Sequence, residues 1–378
     1  DHSFSTLGRL TDVFDEEGGQ WNYTRTAYEN GENITEIISG EGNVTSFRDR
    51  TDITGAYTSS ITDPAGAETV FSQSADGLTV GKSLPCGMEL YYAYDVDSEY
   101  KFEYIKAMTE KSPGGLERIT FRDKSYEDTE INGITDLITE SVAVNDKTTT
   151  LVHNTLAAQK TITSPEGRTV TSLYDPNSLL TESIRVAGLY NTTYGYDPRG
   201  RLISINTGTR ESTLTYNPEG FLESVTDPEN HTTSYSYDAV GRMTGISRPD
   251  GGFVGFAYDK NGNMTVLTNP VDIGHGFGFN SVNRNSSYQT PLSGSYSYIY
   301  DKDRRLIQTN FPSGNSIIND YTDPDDPDDK SRLWQIRTPE GNIDFTYLCG
   351  TKVESISKSA ESITYGYDGK LVTSEALG

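Results

Sequence analysis

A tyrosine followed by an acidic or amide residue returns along this chain about every 21 positions, and so tight a period leaves few folds open. Tyr174-Asp175, Tyr196-Asp197, Tyr216-Asn217, Tyr237-Asp238, Tyr258-Asp259, Phe279-Asn280 and Tyr300-Asp301 are separated by steps of 22, 20, 21, 21, 21 and 21 residues. Tyr321 falls on the next beat, and Tyr367-Asp368 lies 20 residues beyond Tyr347. A copied unit this short cannot bury its own apolar face, so it must stack on its neighbours.

Each unit carries two turn signals. In Asp238-Ala239-Val240-Gly241 an Asp at the first position can bond its own backbone, and Gly supplies a positive φ at the end. Pro249-Asp250-Gly251 closes the second turn. The first signal recurs in Asp197-Pro198-Arg199-Gly200, Asn217-Pro218-Glu219-Gly220 and Asp259-Lys260-Asn261-Gly262. The second recurs in Pro165-Glu166-Gly167, Pro228-Glu229-Asn230, Pro312-Ser313-Gly314 and Pro339-Glu340-Gly341. Between them, Met243 to Ile246 and Phe253 to Tyr258 place an apolar or aromatic residue at every second position, which reads as half-buried strand. Gly or Pro interrupts every window where a helix would start. The sequence predicts an all-β chain of stacked antiparallel hairpins, one per period, forming one long curling sheet.

Residues 161–378 carry the regular beat, and residues 1–160 carry it in degenerate form, as in Gly8-Arg9-Leu10, Pro64-Ala65-Gly66 and Pro113-Gly114-Gly115. The whole of 1–378 reads as a single repeat array of 17 or 18 units, a segment of a larger chain. Hydrophobic residues make up only 33% of it, with a mean hydropathy of −0.59. Its 25 tyrosines compensate, since each buries a large ring and keeps a polar tip for a backbone partner or water. A sheet with one Tyr-rich face and one Thr/Ser-rich face needs little Leu or Ile. The formal net charge is −24, with 55 acidic against 31 basic residues, which repels nucleic acid and anionic lipid. No run of 18 apolar residues is present to span a membrane as a helix.

Cys86 and Cys349, the two cysteines, stand in distant repeats and are read as isolated small residues at strand positions; a disulfide scaffold would need more of them. Among the candidate catalytic residues, His231 sits at a turn-to-strand junction, where a repeat-position role is the simpler reading. His275 lies between glycines at a strand start, and His153 lies away from any clear repeat position. Each histidine needs an adjacent Tyr or carboxylate to act as a general base. The run at 323–329 is an insertion with no strand character, and its Asp323, Asp325, Asp326, Asp328 and Asp329 form a candidate Ca²⁺ loop, with a solvated acidic loop as the plainer alternative. Trp21 and Trp334 are candidate platforms for sugar rings, with core burial the default for both. Seven Asn-x-Ser/Thr triplets, opening at Asn22, Asn33, Asn43, Asn191, Asn230, Asn263 and Asn285, are of a kind that arises by chance in so Thr-rich a chain. Serine-nucleophile, phosphate-loop and zinc-protease signatures are absent from the sequence.

Tyr-Asp-Pro-Arg-Gly-Arg-Leu at 196–202 and Tyr-Asp-Ala-Val-Gly-Arg-Met at 237–243, repeated in register, resemble the YD repeats of the RHS-repeat family. The resemblance implies a long β-sheet that spirals into a hollow shell. In toxin complexes and bacterial effectors such a shell encloses a toxic carboxyl-terminal domain, and in teneurins it belongs to a cell-surface adhesion protein. The self-cleaving core segment of toxin-releasing members has no match here, because Asp197-Pro198-Arg199-Gly200 sits inside an ordinary repeat. The expectation is a structural shell segment of a secreted or cell-surface protein. Its partners would be flanking regions of the same polypeptide, including an enclosed carboxyl-terminal domain. A carbohydrate-binding or polysaccharide-degrading protein on the same scaffold is the alternative, and an extracellular filament or matrix subunit is a third reading.

Overall fold

The computed structural model describes residues 1–378 apart from Ser293, Asp326, Pro327, Asp328 and Lys330. Among the described residues it holds 34 strands in one antiparallel sheet, and the only helical element there is a 3₁₀ turn at Pro85–Gly87. Strands pair with their neighbours in sequence, as Thr232–Tyr237 does with Met243–Ser247, and Met243–Ser247 with Phe253–Tyr258.

The turn at 238–242 shows why the sequence folds this way locally. Asp238 N–H donates to Arg242 O at 2.9 Å and Gly241 N–H to Asp238 O at 3.0 Å. Asp238 Oδ1 accepts from the amides of Val240 (3.0 Å) and Arg242 (2.9 Å), while Oδ2 pairs with Arg242 Nε at 2.7 Å. Gly241 takes φ +86°, which costs a residue without Cβ little. The same carboxylate-capped turn recurs at 197–201 and 301–305.

Just before each such turn the ladder slips by one residue. The pairing shifts between Gly195 and Tyr196, Thr215 and Tyr216, Ser236 and Tyr237, and Ala257 and Tyr258, which sets Tyr196 opposite Leu202, Tyr216 opposite Leu222 and Tyr237 opposite Met243. Such a bulge breaks the regular ladder, and the carbonyl of the residue opposite the tyrosine takes a side-chain donor. The tyrosine of the following repeat supplies it. Tyr216 Oη donates to Leu202 O (2.8 Å), Tyr237 Oη to Leu222 O (2.9 Å) and Tyr258 Oη to Met243 O (2.8 Å). Tyr367 Oη does the same to Val353 O at 2.7 Å, and Asn319 Nδ2 serves Leu306 O at 2.9 Å. Coupling also runs forward along the chain: the guanidinium of Arg201 lies 4.4 Å from the ring centre of Tyr216, that of Arg242 4.8 Å from Tyr258, and that of Arg305 4.2 Å from Tyr321.

Register divides the sheet into two unlike faces. One carries Tyr235, Ile246 and Val254 side by side, then Phe256 and Leu267. The other carries Ser234, Ser247 and Phe253, and beside them Ser236, Gly245, Gly255 and Thr268. Among the described apolar side chains only Val80, Met88 and Tyr174 are buried, so most aromatic rings are half covered by their neighbours on the same face.

The chain divides into two compact units: Asp1–Tyr94, Met108–Arg118 and His275–Gly378 form one, and Asp95–Ala107 and Ile119–Gly274 the other. The cysteines correct the reading of them as isolated strand residues. Cys86 and Cys349 are bonded to each other within the first unit, across 263 residues of sequence. Neither is in a strand: both sit at hairpin tips with positive φ, +67° and +47°. A tip projects beyond the ladder, and that is where distant repeats can meet.

Replacing Tyr237 by Phe should leave the Leu222 carbonyl without its donor while keeping the ring. A loss of about 0.5–1.5 kcal/mol in urea unfolding is expected, the net worth of a typical hydrogen bond at a half-buried site.

Candidate functional site

In the first unit, hairpin tips of early repeats dock on tips of late ones, and carboxylates make most of the contacts. Arg304 reaches Asp15 through Nε and Nη2, both at 2.9 Å, and its guanidinium lies 4.9 Å from the ring centre of Trp21. Glu17 Oε1 accepts from Ser281 Oγ at 2.6 Å and from its N–H at 3.2 Å. Asp303 accepts from Ser39 Oγ, Asn43 Nδ2 and the Glu41 amide, at 2.7, 2.7 and 3.2 Å. Beyond the disulfide, Asp368 accepts from Ser112 Oγ (2.5 Å) and Gly114 N–H (2.6 Å), while Glu110 pairs with Arg118 and Lys370, each at 3.1 Å. Burial pushes the Asp15 carboxyl upward, but the Gly19 amide and the Arg304 guanidinium outweigh it and hold the group below its ordinary value. A cavity of about 240 Å³ opens along this seam, bounded by Asp15, Glu17, Arg284, Tyr300, Asp301 and Arg304. Its chemistry is that of ion pairing and polar docking.

The second unit contains the most completely buried charged group described, Asp97, at 1% exposure. Its Oδ1 accepts from the amides of Glu99 (3.0 Å) and Tyr100 (2.9 Å), and its Oδ2 from the Tyr126 hydroxyl. Lys124 Nζ stands 3.5 Å from Oδ2 and 4.9 Å from the ring centres of both Phe102 and Tyr104. Burial alone would raise the Asp97 carboxyl, yet the hydrogen bonds, led by that of Tyr126, bring it down to about 2. Burial, then the anion beside it, pushes the Tyr126 phenol up.

The structure gives each candidate histidine its own partner and brings none of the three together. His153, in strand Lys147–Asn154, has Nε2 at 2.8 Å from Tyr174 Oη, and burial followed by the nearby Lys160 lowers its pKa. His275, in strand Gly274–Phe279, has Nδ1 at 2.7 Å from Tyr288 Oη and stacks on that ring at 5.9 Å. Phe277, Tyr288 and Tyr296 continue the stack, at 5.4 and 5.9 Å. His231 is exposed, with Nδ1 3.2 Å from the Asp227 carboxylate of its own turn.

In the acidic insertion, Asp329 faces Arg332 at 3.1 Å and Asp323 faces it at 4.0 Å, while Asp325 donates its N–H to Asp323 Oδ1 at 2.8 Å. Asp326 and Asp328 lie outside the described residues. No group of three or more metal-ligating side chains is found among the described residues. An arginine lies over each tryptophan: Arg304 over Trp21 as above, and Arg332 over Trp334 at 4.5 Å. Sequence reasoning missed the seam and the Asp97 cluster. One available signal was that Pro85-Cys86-Gly87 and Cys349-Gly350 are both turn sequences, so neither cysteine belonged in a strand.

A family model described as the teneurin YD-shell matches residues 107–377. No curated protein matches the chain. Among solved structures, the chain is similar to a crystal structure of TcdB2-TccC3 without its hypervariable C-terminal region, at 12% identity and a TM-score of 0.52, with 100% of this chain and 27% of that one covered. A Photorhabdus luminescens Tc holotoxin pore carrying a TccC3 mutation matches at 12% identity and a TM-score of 0.48, again covering 100% and 27%. The chain therefore spans about a quarter of the length of these proteins. The likeness to the first concerns the fold, an open all-β sheet of the RHS-shell type.

Two measurements check this account. Asp97 is held at about 2 against an ordinary 3.8, so it contributes stability present above pH 3.8 and lost as the pH falls through that interval. The thermal midpoint of the native protein should exceed that of Asp97→Asn near neutral pH, and the gap should close on acidification to about 2. The Cys86–Cys349 link closes a loop of more than 260 residues, which the chain-entropy picture values at about 5 kcal/mol. Reductant should lower the calorimetric midpoint of the native protein, and Cys349→Ser should match the reduced protein and ignore reductant.

Proposed function

This chain belongs to the teneurin YD-shell family, and we propose that its work is that of a wall, enclosing flanking parts of its own polypeptide in a secreted or cell-surface protein. The observation that carries this reading is the seam. A catalytic scaffold aims side chains at a substrate, whereas here the convergent polar groups of distant repeats are spent on one another: Asp303 on Ser39 and Asn43, Asp368 on Ser112. A disulfide across the same seam supports an oxidising, extracytoplasmic setting, where such bonds persist. The unlike faces of the sheet suit a partition between two environments. No helix among the described residues is long and apolar enough to cross a membrane.

The His275–Tyr288 pair and the ring stack beyond it favour a second reading, a glycan-binding or glycan-cleaving surface, because aromatic faces pack on sugar rings.

Two experiments separate these readings. In the natural polypeptide, segments flanking the repeats should resist a protease that digests them once the repeats are unfolded, and equal digestion in both states overturns enclosure. Incubation with a panel of neutral and acidic polysaccharides should yield no new reducing ends and no unsaturated products. Turnover that disappears in His275→Ala, with the far-ultraviolet spectrum unchanged, would establish the second reading instead.

A further inference from the structure

The seam uses one device twice. The turn at 39–43 closes with Ser39 N–H to Asn43 O (2.9 Å) and Gly42 N–H to Ser39 O (2.9 Å), and the turn at 112–116 closes with Ser112 N–H to Leu116 O (2.9 Å) and Gly115 N–H to Ser112 O (3.0 Å). In each, the serine Oγ accepts from the fifth residue's amide, at 3.1 Å for Asn43 and 3.0 Å for Leu116. That bond occupies a lone pair and leaves the hydroxyl proton free to point away from the turn. The first-position hydroxyl and the third-position amide then grip the two oxygens of one foreign carboxylate. Asp303 is held by Ser39 Oγ and the Glu41 amide, and Asp368 by Ser112 Oγ and the Gly114 amide. At the first of these the fifth residue adds a third donor, Asn43 Nδ2, at 2.7 Å.

The same turn stands at 164–168, in the other compact unit. Ser164 N–H donates to Arg168 O at 2.9 Å, Gly167 N–H to Ser164 O at 2.9 Å, and Arg168 N–H to Ser164 Oγ at 3.2 Å. Gly167 has φ +76°, against +89° at Gly42 and +87° at Gly115. Ser164 is half-buried and Glu166, Gly167 and Arg168 are exposed. Among the described residues neither Ser164 Oγ nor the Glu166 amide has an acceptor, and the Arg168 guanidinium has no carboxylate partner. Arg168 occupies the fifth position, where Asn43 supplies the extra donor to Asp303. A second open copy stands at 5–9, where Ser5 N–H donates to Arg9 O at 2.7 Å, Gly8 N–H to Ser5 O at 2.9 Å and Arg9 N–H to Ser5 Oγ at 3.2 Å.

We propose that the 164–168 turn is a carboxylate socket, and that its partner is an aspartate carried on the hairpin tip of a further YD-type repeat segment. The occupied copies define that chemistry: both hold an aspartate, and both aspartates stand at hairpin tips. Arg168 would add a charge-assisted contact, stronger than the amide contact of Asn43. The inference goes beyond the enclosing role and does not depend on it. It assigns an interaction site through which one repeat array holds another edge to edge.

The test uses the full chain with its disulfide intact. A cyclised hairpin peptide copying residues 364–374 carries Asp368 at its tip, and the same peptide with Asp368→Asn serves as control. The Glu166 backbone amide, followed by nuclear magnetic resonance, should shift saturably with the first peptide and bind the control at least tenfold more weakly. Ser164→Ala with Arg168→Ala should abolish the shift. Arg168→Asn, which recreates the fifth residue of the 39–43 turn, should retain it and show that the turn still folds. The Gly114 amide, whose socket is filled, should not move. Absence of a saturable shift overturns the proposal, as does equal affinity for the control peptide. So does an identical response to acetate alone at the same concentration, which would reduce the socket to a general anion site.

Discussion

The interaction on which this architecture rests is the bond from a tyrosine hydroxyl to the carbonyl opposite the tyrosine one repeat earlier. In the regular repeats the ladder shifts just before the tyrosine, and the carbonyl of the residue opposite it takes a side-chain donor. Leu202, Leu222 and Met243 sit opposite Tyr196, Tyr216 and Tyr237, and their oxygens are taken by Tyr216, Tyr237 and Tyr258. Each repeat thus donates a bond to the one before it. Such a linkage makes stability a property of neighbours rather than of units, as in other one-dimensional arrays. It also explains why tyrosine rather than phenylalanine marks the beat. Where the regular donor gives way, as at Leu306, the Asn319 amide reaches the same kind of carbonyl.

A sheet one layer thick has little else to rely on. With only three apolar side chains buried among those described, burial in a conventional core cannot dominate. Half-covered rings on one face, arginines over the next tyrosine and capped turns must together offset the ordering of the backbone. The seam adds contacts of a different kind, because they join residues some 260 positions apart and so depend on curvature accumulated over many repeats. Side-chain chemistry there is therefore tip chemistry, with Asp303, Cys86 and Cys349 standing beyond the ends of strands and Asp368 the last residue of one.

How much of this the sequence disclosed follows from distance along the chain. The hairpins, the turns and the tyrosine beat are local, and the spacing of Tyr, Asp and Gly displays them without help from anything remote. The preference for one aromatic and one hydroxyl-rich face was readable for the same reason, since alternation within a strand decides it. The pairing of Cys86 with Cys349 was not readable, because no local pattern reports how far a sheet curves before its tips meet. The same holds for Ser39 with Asp303, where each residue is an ordinary turn serine or turn aspartate until the other arrives. Asp97 escaped notice because its partners, Tyr126 and Lys124, are spread over nearly 30 residues of irregular repeats. The histidines were singled out as scarce residues, and the structure shows each one bonded to a hydroxyl or carboxylate at its own position on the sheet.

The acidity of the chain takes on a different meaning in this light. From composition alone, a net charge of −24 speaks about partners, chiefly those it repels. In the fold, many of the carboxylates are structural parts of turns. Asp197 and Asp238 lie below the ordinary carboxylate value foremost through the amides of Arg201 and Arg242, and Asp175 and Asp227 through those of Ser178 and His231. A turn closed this way needs a side-chain oxygen at its first position, which Asp supplies at 197, 238 and 301 and neutral Asn at 217, 269 and 280. Where aspartate is the residue used, negative charge builds up as a by-product of capping. Charge at a tip therefore reports capping first, and a docking role has to be read from donor geometry, as at the 164–168 turn.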